Sequence, residues 1–289
     1  MEDEGSAHEA LFYVLSYLPL HQLLIMSQVS KSIRDVIRDD ILIWLHIVVK
    51  NPLSRRLTDD ILIQITSKAR GRLRTLALLD CVNITDAGIL QVVHANRVLN
   101  KLYVPGCTRL TPGGIIRAVE RLAAQSIVFI SLKISGIYNI SKEDLFTLQS
   151  YVSQSTQKQP IFYHNYWSSS FRSVDEHNSV IDVEICPKCE EVKLVFDCPK
   201  ESDCRGCLQC ITRCIVCGRC ISEQDADEQG DTLCNDSVCL DCWLCLPKCN
   251  HCNKPFCPRH THKQLNHHGS EGFVCNVCQA KSLLVYCEE

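Results

Sequence analysis

Long apolar runs are missing from this 289-residue chain. The apolar stretch from Leu11 to Met26 is too short to span a bilayer, and Ser16, Pro19, His21 and Gln22 interrupt it. A basic leader is missing as well: the sequence opens Met1-Glu2-Asp3-Glu4, acidic where a signal peptide is basic. Excess positive charge is missing, with 30 Lys+Arg against 33 Asp+Glu and a net charge of -3, so nothing invites nucleic acid. There is no Walker loop, nucleophile elbow or Gly-rich dinucleotide fingerprint. Cysteine is scarce before residue 186, where only Cys81 and Cys107 occur, and then abundant, with 19 of the 21 lying between Cys186 and Cys287. Together these features lead us to expect an intracellular chain in a reducing compartment, nucleus and/or cytoplasm, with no membrane and no nucleic-acid partner. Clustered thiols in that setting point to metal and not to disulfides.

Residues 8–50 read as three helical stretches. Leu11, Val14, Leu15 and Leu18 recur at helical spacing up to Pro19; Leu23, Leu24, Val29, Ile33, Val36 and Ile37 follow, then Leu42, Trp44 and Leu45. So short a trio buries too little of its own surface to stand alone, and is expected to lean on a partner or on the next domain. The run from Glu9 to Leu20, with Leu23-Leu24, Val29-Ser30-Lys31 and Leu42-Ile43-Trp44, resembles an F-box. It departs from that pattern where Ser30 stands for Cys, Ile33 stands for Trp, and the opening Leu-Pro is absent before Leu11. The resemblance implies that Leu11, Leu15, Leu18, Pro19, Leu20 and Leu23 face the Skp adaptor of a cullin-based ligase.

Residues 57–150 contain a repeat. Leu57-Thr58-Asp59, Ile84-Thr85-Asp86, Leu110-Thr111-Pro112 and Ile140-Ser141-Lys142 open successive units 27, 26 and 30 residues apart. Strands are expected at Leu73, Leu76 and Leu78, at Leu99, Leu102 and Val104, and at Ile130, Leu132 and Ile134, each followed by a helical stripe. Thr85 and Thr111 sit where N-caps belong. A strand plus a helix at this period is the leucine-rich repeat pattern. Cys81 and Cys107, 26 residues apart, read as small buried thiols and not as ligands. Residues 151–185 form a connector whose rings, Phe162, Tyr163, Tyr166, Trp167 and Phe171, are unusual in a solvated linker.

From residue 186 to 289 the thiols recur two residues apart, the turn that aims two sulfurs at one tetrahedral ion. Candidate metal ligands are Cys186, Cys189, Cys204, Cys207, Cys210, Cys214, Cys217, Cys220, Cys234, Cys239, Cys242, Cys249, Cys252, Cys257, His260, Cys275 and Cys278. Spacing leaves their pairing open. The polar sequence between them cannot offset its conformational entropy by core burial, so structural zinc is expected to act as the core. With 11 Lys+Arg against 15 Asp+Glu from residue 186 on, 11 − 15 = −4, recognition of protein is favoured over nucleic acid. Two rivals remain. Cys204, Cys207, Cys210 and Cys214, and again Cys239, Cys242, Cys245 and Cys249, spell the ferredoxin run C-x2-C-x2-C-x3-C of an electron carrier. A RING or in-between-RING ligase, with a free thiol such as Cys198 or Cys287, is the other.

The expected fold class is α+β multidomain: a helical F-box (8–50), a short α/β solenoid of leucine-rich repeats (57–150), a connector (151–185) and a small zinc-stabilised Cys-rich domain (186–289). This order, with the tail opening Asp182-Val-Glu-Ile-Cys-Pro-Lys-Cys189, resembles the plant Skp-interacting-partner group of F-box proteins. The resemblance implies a non-catalytic substrate receptor that binds the Skp adaptor, through it cullin, and a protein substrate. A ligase-free interaction scaffold is the plainer alternative.

Overall fold

The computed structural model describes residues 14–15, 17–124, 131–152, 180–199, 204–221, 229–258, 260 and 273–285. Ile130, the rings of 161–172, Leu11, His262, His267, His268 and Cys287 lie outside them. The chain divides into two compact units. One comprises Met1–Lys158, Ser179–Ile185 and Glu191–Lys193; the other comprises Gln159–Asn178, Cys186–Glu190 and Leu194–Glu289.

In the first unit, helices α1 (Leu20–Val29) and α2 (Lys31–Asp39) and a 3-10 turn (Ile41–Trp44) lead directly into strand β1 (His46–Val49). Three strand–helix units follow the helix α3 (Asp59–Ser67): β2 (Thr75–Leu78) with α4 (Asp86–Ala95), β3 (Lys101–Tyr103) with α5 (Pro112–Ala123), and β4 (Ser131–Lys133) with α6 (Lys142–Tyr151). The strands are parallel and lie in chain order. His46, Thr75, Lys101 and Ser131 fall in one register row, 29, 26 and 30 residues apart. Ile47, Leu76, Leu102 and Leu132 form the next row, 0–2% exposed, because alternate strand residues face the helices. One core runs from Leu15 through these rows to Val183. The N-terminal helices therefore rest on the sheet: Trp44 is buried, donates its indole N–H to the Ile37 carbonyl at 2.7 Å, and lies under the Lys68 ammonium.

A ladder of side-chain contacts sets the spacing between units. Asp59, at the start of α3, accepts from the Thr85 amide (2.9 Å) and hydroxyl (2.6 Å); Asp86, at the start of α4, accepts in the same way from Thr111 (2.9 and 2.6 Å). Thr111 caps α5 as its position demands, its hydroxyl accepting from the Gly114 amide at 3.0 Å. Thr85 stands at the N-cap of α4, but its hydroxyl serves Asp59 and caps nothing. Gly88 and Gly114 are required beside the two carboxylates, since a Cβ on either would collide with Asp59 or Asp86. Pro112 replaces the aspartate in the next unit, and there the ladder gives way to a local capping box, Ser141 with Asp144. At the β4 edge Ile181 pairs parallel with Leu132, and the Asp182 carboxylate accepts from the Ile134 and Ser135 amides at 2.7 and 3.2 Å.

Candidate metal centres

Among its described residues the second unit has almost no conventional core. Its strands are two residues long: β7 (Val195–Phe196) with β8 (Gly206–Cys207), and β9 (Gln229–Gly230) with β10 (Val238–Cys239). Among the described residues its helices are α7 (Leu240–Cys245) and α8 (Asn276–Val285); along the chain, residues 186–190 follow β5 (Glu184–Ile185) and precede β6 (Val192–Lys193). Its small buried clusters are built around cysteines: Cys186, Val195 and Cys207; Cys214, Ile215, Val238, Cys239 and Cys257; Cys249, Phe256, Phe273 and Cys275. Burial on that scale leaves the fold to be held by something else.

Among the described residues, five groups of ligand atoms converge within 4.8 Å: Cys186, Cys189, Cys207, Cys210; Cys198, Cys204, Cys220; Cys214, Cys217, Cys239, Cys242; Cys234, Asp236, Cys257, His260; and Cys249, Cys252, Cys275, Cys278. All seventeen candidates from the sequence fall in one of these groups, which add Cys198 and Asp236. Cys245 is exposed and belongs to none. The ferredoxin runs are not units: Cys204, the pair Cys207/Cys210, and Cys214 go to three different groups, and Cys249 parts from Cys239 and Cys242.

The sulfur separations fit a tetrahedral ion. Cys189–Cys207, Cys217–Cys239, Cys252–Cys275 and Cys198–Cys220 are 3.9, 3.7, 3.9 and 3.7 Å apart. Four sulfurs at ~2.3 Å from one centre lie about 3.8 Å from each other, whereas a disulfide requires about 2.0 Å. The backbone is shaped to the same end. In three groups the residue after the second cysteine has positive φ (Glu190 58°, Gly218 76°, Asn253 55°) and its amide donates to the carbonyl of the first, each at 2.9 Å. The first sulfur then accepts the amide of the third ligand: Cys207 N–H to Cys186 at 3.4 Å, Cys257 to Cys234 at 3.3 Å, Cys275 to Cys249 at 3.3 Å.

These donors tune the thiols. Burial opposes ionisation of Cys186 and Cys249, yet neighbouring amides outweigh it and draw each down to about 6. A hydrogen bond from Cys217 draws Cys214 down to about 4. Hydrogen bonding to an adjacent thiol pushes Cys210 and Cys278 up to about 12, and burial does the same to Cys242. Each four-cysteine group thus holds a ready thiolate beside a thiol that resists ionising. Four thiolates at this range need a cation between them. The groups can hold metal ions on those grounds. Arg213, 3% exposed inside this polar region, ties the ligand loops together through the carbonyls of Phe196 (2.9 Å) and Cys204 (2.5 Å).

Comparison with known proteins agrees with this layout. Residues 8–50 match the F-box-like family model, and residues 182–251 match the model described as the At3g27290 F-box protein C-terminal domain. F-box protein SKIP28 of Arabidopsis thaliana is 41% identical over 271 residues, 91% of this chain and 85% of the relative. F-box protein SKIP14 of the same plant is 35% identical over 263 residues (86% and 56%), and F-box protein At3g27290 is 33% identical over 263 (84% and 66%). The chain belongs to the plant Skp-interacting-partner F-box family. In this F-box protein the C-terminal match encloses the first three ligand groups in chain order and ends inside the last two.

In the F-box segment Leu15, Leu20 and Leu23 are 0, 8 and 4% exposed and belong to the core that the sheet shares. Leu18 and Pro19 are half-buried. Among the described residues of the segment, the large apolar side chains left outside are Val14, Tyr17, Ile25, Val29 and Leu42, 50–87% exposed. The repeating leucines mark the inward stripe, and sequence spacing alone does not say which stripe a helix buries.

Proposed function

We propose that this chain is the substrate-recognition subunit of a Skp–cullin–F-box ubiquitin ligase. The observation that supports it is the apolar surface of the F-box segment, Val14, Tyr17, Ile25, Val29 and Leu42, standing clear of a core that is already complete. Solvent-exposed branched and aromatic side chains between Val14 and Leu42 fit an adaptor interface. The parallel stack from β1 to α6 is read as a short leucine-rich repeat array, and the five ligand groups as structural zinc sites, the ion that suits clustered thiolates and imidazole. On this reading the chain performs no chemistry; it holds a protein substrate near charged enzyme supplied by other subunits, raising the effective concentration of target lysines. The compartment that goes with this reading is a reducing one, nucleus and/or cytoplasm, where thiols stay available to metal. The test is capture of purified Skp adaptor by the full zinc-loaded chain, because the F-box helices share their core with the sheet. Binding that is lost in Ile25→Asp/Val29→Asp, with the circular dichroism unchanged, supports the reading; a wild-type chain that ignores the adaptor overturns it.

A second reading has one observation in its favour. Along the chain the pairs Cys234/Asp236, Cys249/Cys252, Cys257/His260 and Cys275/Cys278 group as first with third and second with fourth, the cross-brace of RING-type modules. Ubiquitin ligation by the purified chain without cullin would favour that reading, and none would remove it.

A further inference from the structure

Four of the five ligand groups are all sulfur among the described residues; Cys234, Asp236, Cys257 and His260 are not. We propose that this mixed site is an exchangeable zinc site, which gives up its ion well before the four-cysteine sites and so lets zinc supply govern the C-terminal half of the tail. The proposal rests on the zinc reading above.

The site is built to the plan of its neighbours. Cys234 accepts the amide of Cys257, as Cys186 accepts that of Cys207 and Cys249 that of Cys275. His260 follows Cys257 by three positions, the spacing from Cys207 to Cys210 and from Cys275 to Cys278. Asp236 takes the place of the second cysteine, and Asn235 before it has φ 57°. The three donor atoms converge: Cys257 Sγ to Asp236 Oδ2 is 2.8 Å, Cys257 Sγ to His260 Nδ1 is 3.2 Å, and His260 Nδ1 to Asp236 Oδ2 is 3.2 Å.

Two features separate it from the three four-cysteine groups. A carboxylate is a hard ligand that does not select a borderline-soft ion as thiolates do, so one Cys-to-Asp replacement weakens the hold on zinc. Access differs too. In each four-cysteine group two sulfurs are buried, whereas here only Cys257 is, and the side chains of Asp236 and His260 are 27% and 29% exposed. A competing chelator meets the oxygen and nitrogen edge first. Position adds the consequence: Cys234 and Asp236 lie between Cys217 and Cys239, and Cys249 and Cys252 lie between Asp236 and Cys257. Emptying the mixed site therefore releases loops that the flanking sites need.

The experiment is zinc release from the full chain to a chromophoric chelator, followed in time, with total zinc measured by elemental analysis. The expected result is a fast phase that includes the zinc of the mixed site, ahead of the zinc of the three four-cysteine groups. Asp236→Asn should speed that phase on the order of 10-fold or more, at least the loss caused by removing an outer-shell partner. His260→Cys, which gives the C-x2-C spacing of the other sites while the Asp236 carboxylate stays, should slow that phase towards the four-cysteine sites. Cobalt substitution supplies a readout independent of release: the wild-type spectrum should show one ion with weaker sulfur charge-transfer absorption, raised in His260→Cys. A single release phase that neither substitution moves overturns the proposal and leaves structural zinc standing. A chain that purifies folded without zinc, with its thiols open to reagents, overturns the zinc reading itself.

Discussion

Gly114→Ala tests whether the aspartate–threonine ladder holds the stacked units together. The new methyl would land on the Asp86 carboxylate, which must swing away. Two hydrogen bonds go with it, from the Thr111 amide at 2.9 Å and the Thr111 hydroxyl at 2.6 Å. Hydrogen bonds to a charged group contribute ~1.5–3 kcal/mol each; this pair is partly solvated, so we take about 1.5 kcal/mol each at the lower bound and 3 in all. Alanine in a helix returns about 1 kcal/mol against glycine, leaving a net loss of roughly 2 kcal/mol. For a unit of this size that is a fall of about 4–8 °C in melting temperature. The assay is a denaturant or thermal melt of the zinc-loaded chain followed by far-ultraviolet circular dichroism, run as a double-mutant cycle with Asp86→Ala. In the Asp86→Ala background Gly114→Ala should be neutral or stabilising, because nothing is left to collide with. A loss of the same 2 kcal/mol in both backgrounds would refute the ladder and assign the glycine another role.

Other substitutions separate the core of the F-box from its surface. Leu23→Ala should cost about 2–5 kcal/mol in the same melt, since it empties a site only 4% exposed; Val29→Asp, at 72% exposure, should leave the melt unchanged and weaken adaptor capture. Arg213→Met removes a buried guanidinium that bonds to the carbonyls of Phe196 and Cys204, and should destabilise the tail by roughly 2–5 kcal/mol, read as earlier zinc release on heating. Cys245, exposed and outside every ligand group of the described residues, should be alkylated ahead of the cysteines of those groups in the zinc-loaded chain, identified by peptide mass mapping. Labelling of Cys186 or Cys214 ahead of it would contradict the metal assignment.

Much of the first unit was legible because its period is written in residues that recur for a physical reason. Leu76 and Leu78, then Leu102 and Val104, mark buried strand faces, and Thr85, Thr111 and Ser141 mark helix starts. Strand β1 was not legible: it follows the 3-10 turn at Trp44 with no breaker residue, so His46–Val49 read as the tail of a helical stretch. The inward and outward faces of the F-box helices were likewise hidden. Leucine spacing gives a stripe, and only the neighbouring sheet decides that Leu15, Leu20 and Leu23 are the ones covered. In the second unit the C-x-x-C turns announced most members of the converging groups, but not Cys198, which stands alone, nor Asp236, whose acidic side chain reads as a solvated surface group. The signal for Asp236 was Cys234, which has no second cysteine within the next four residues while Asp236 stands two positions on.

The pairing was beyond the sequence because the groups interlock. Cys198 and Cys204 lie between the two halves of the first group, Cys220 and Cys234 between the halves of the Cys214 group, and Cys257 and His260 between those of the Cys249 group. No cut in the chain separates one group's ligands from the next, so local spacing cannot resolve them, and neither can local unfolding. In a stack of repeats each unit loses only its neighbour's face when it frays. In an interlocked series, opening one group unties loops that belong to two others. A tail built this way should lose its metal ions from the mixed site outward in a cooperative sequence, while the first unit, whose core contains no ligand group, keeps its helical signal throughout. Independent loss of the ions one by one, with no coupling between adjacent sites, would show that the shared loops transmit nothing.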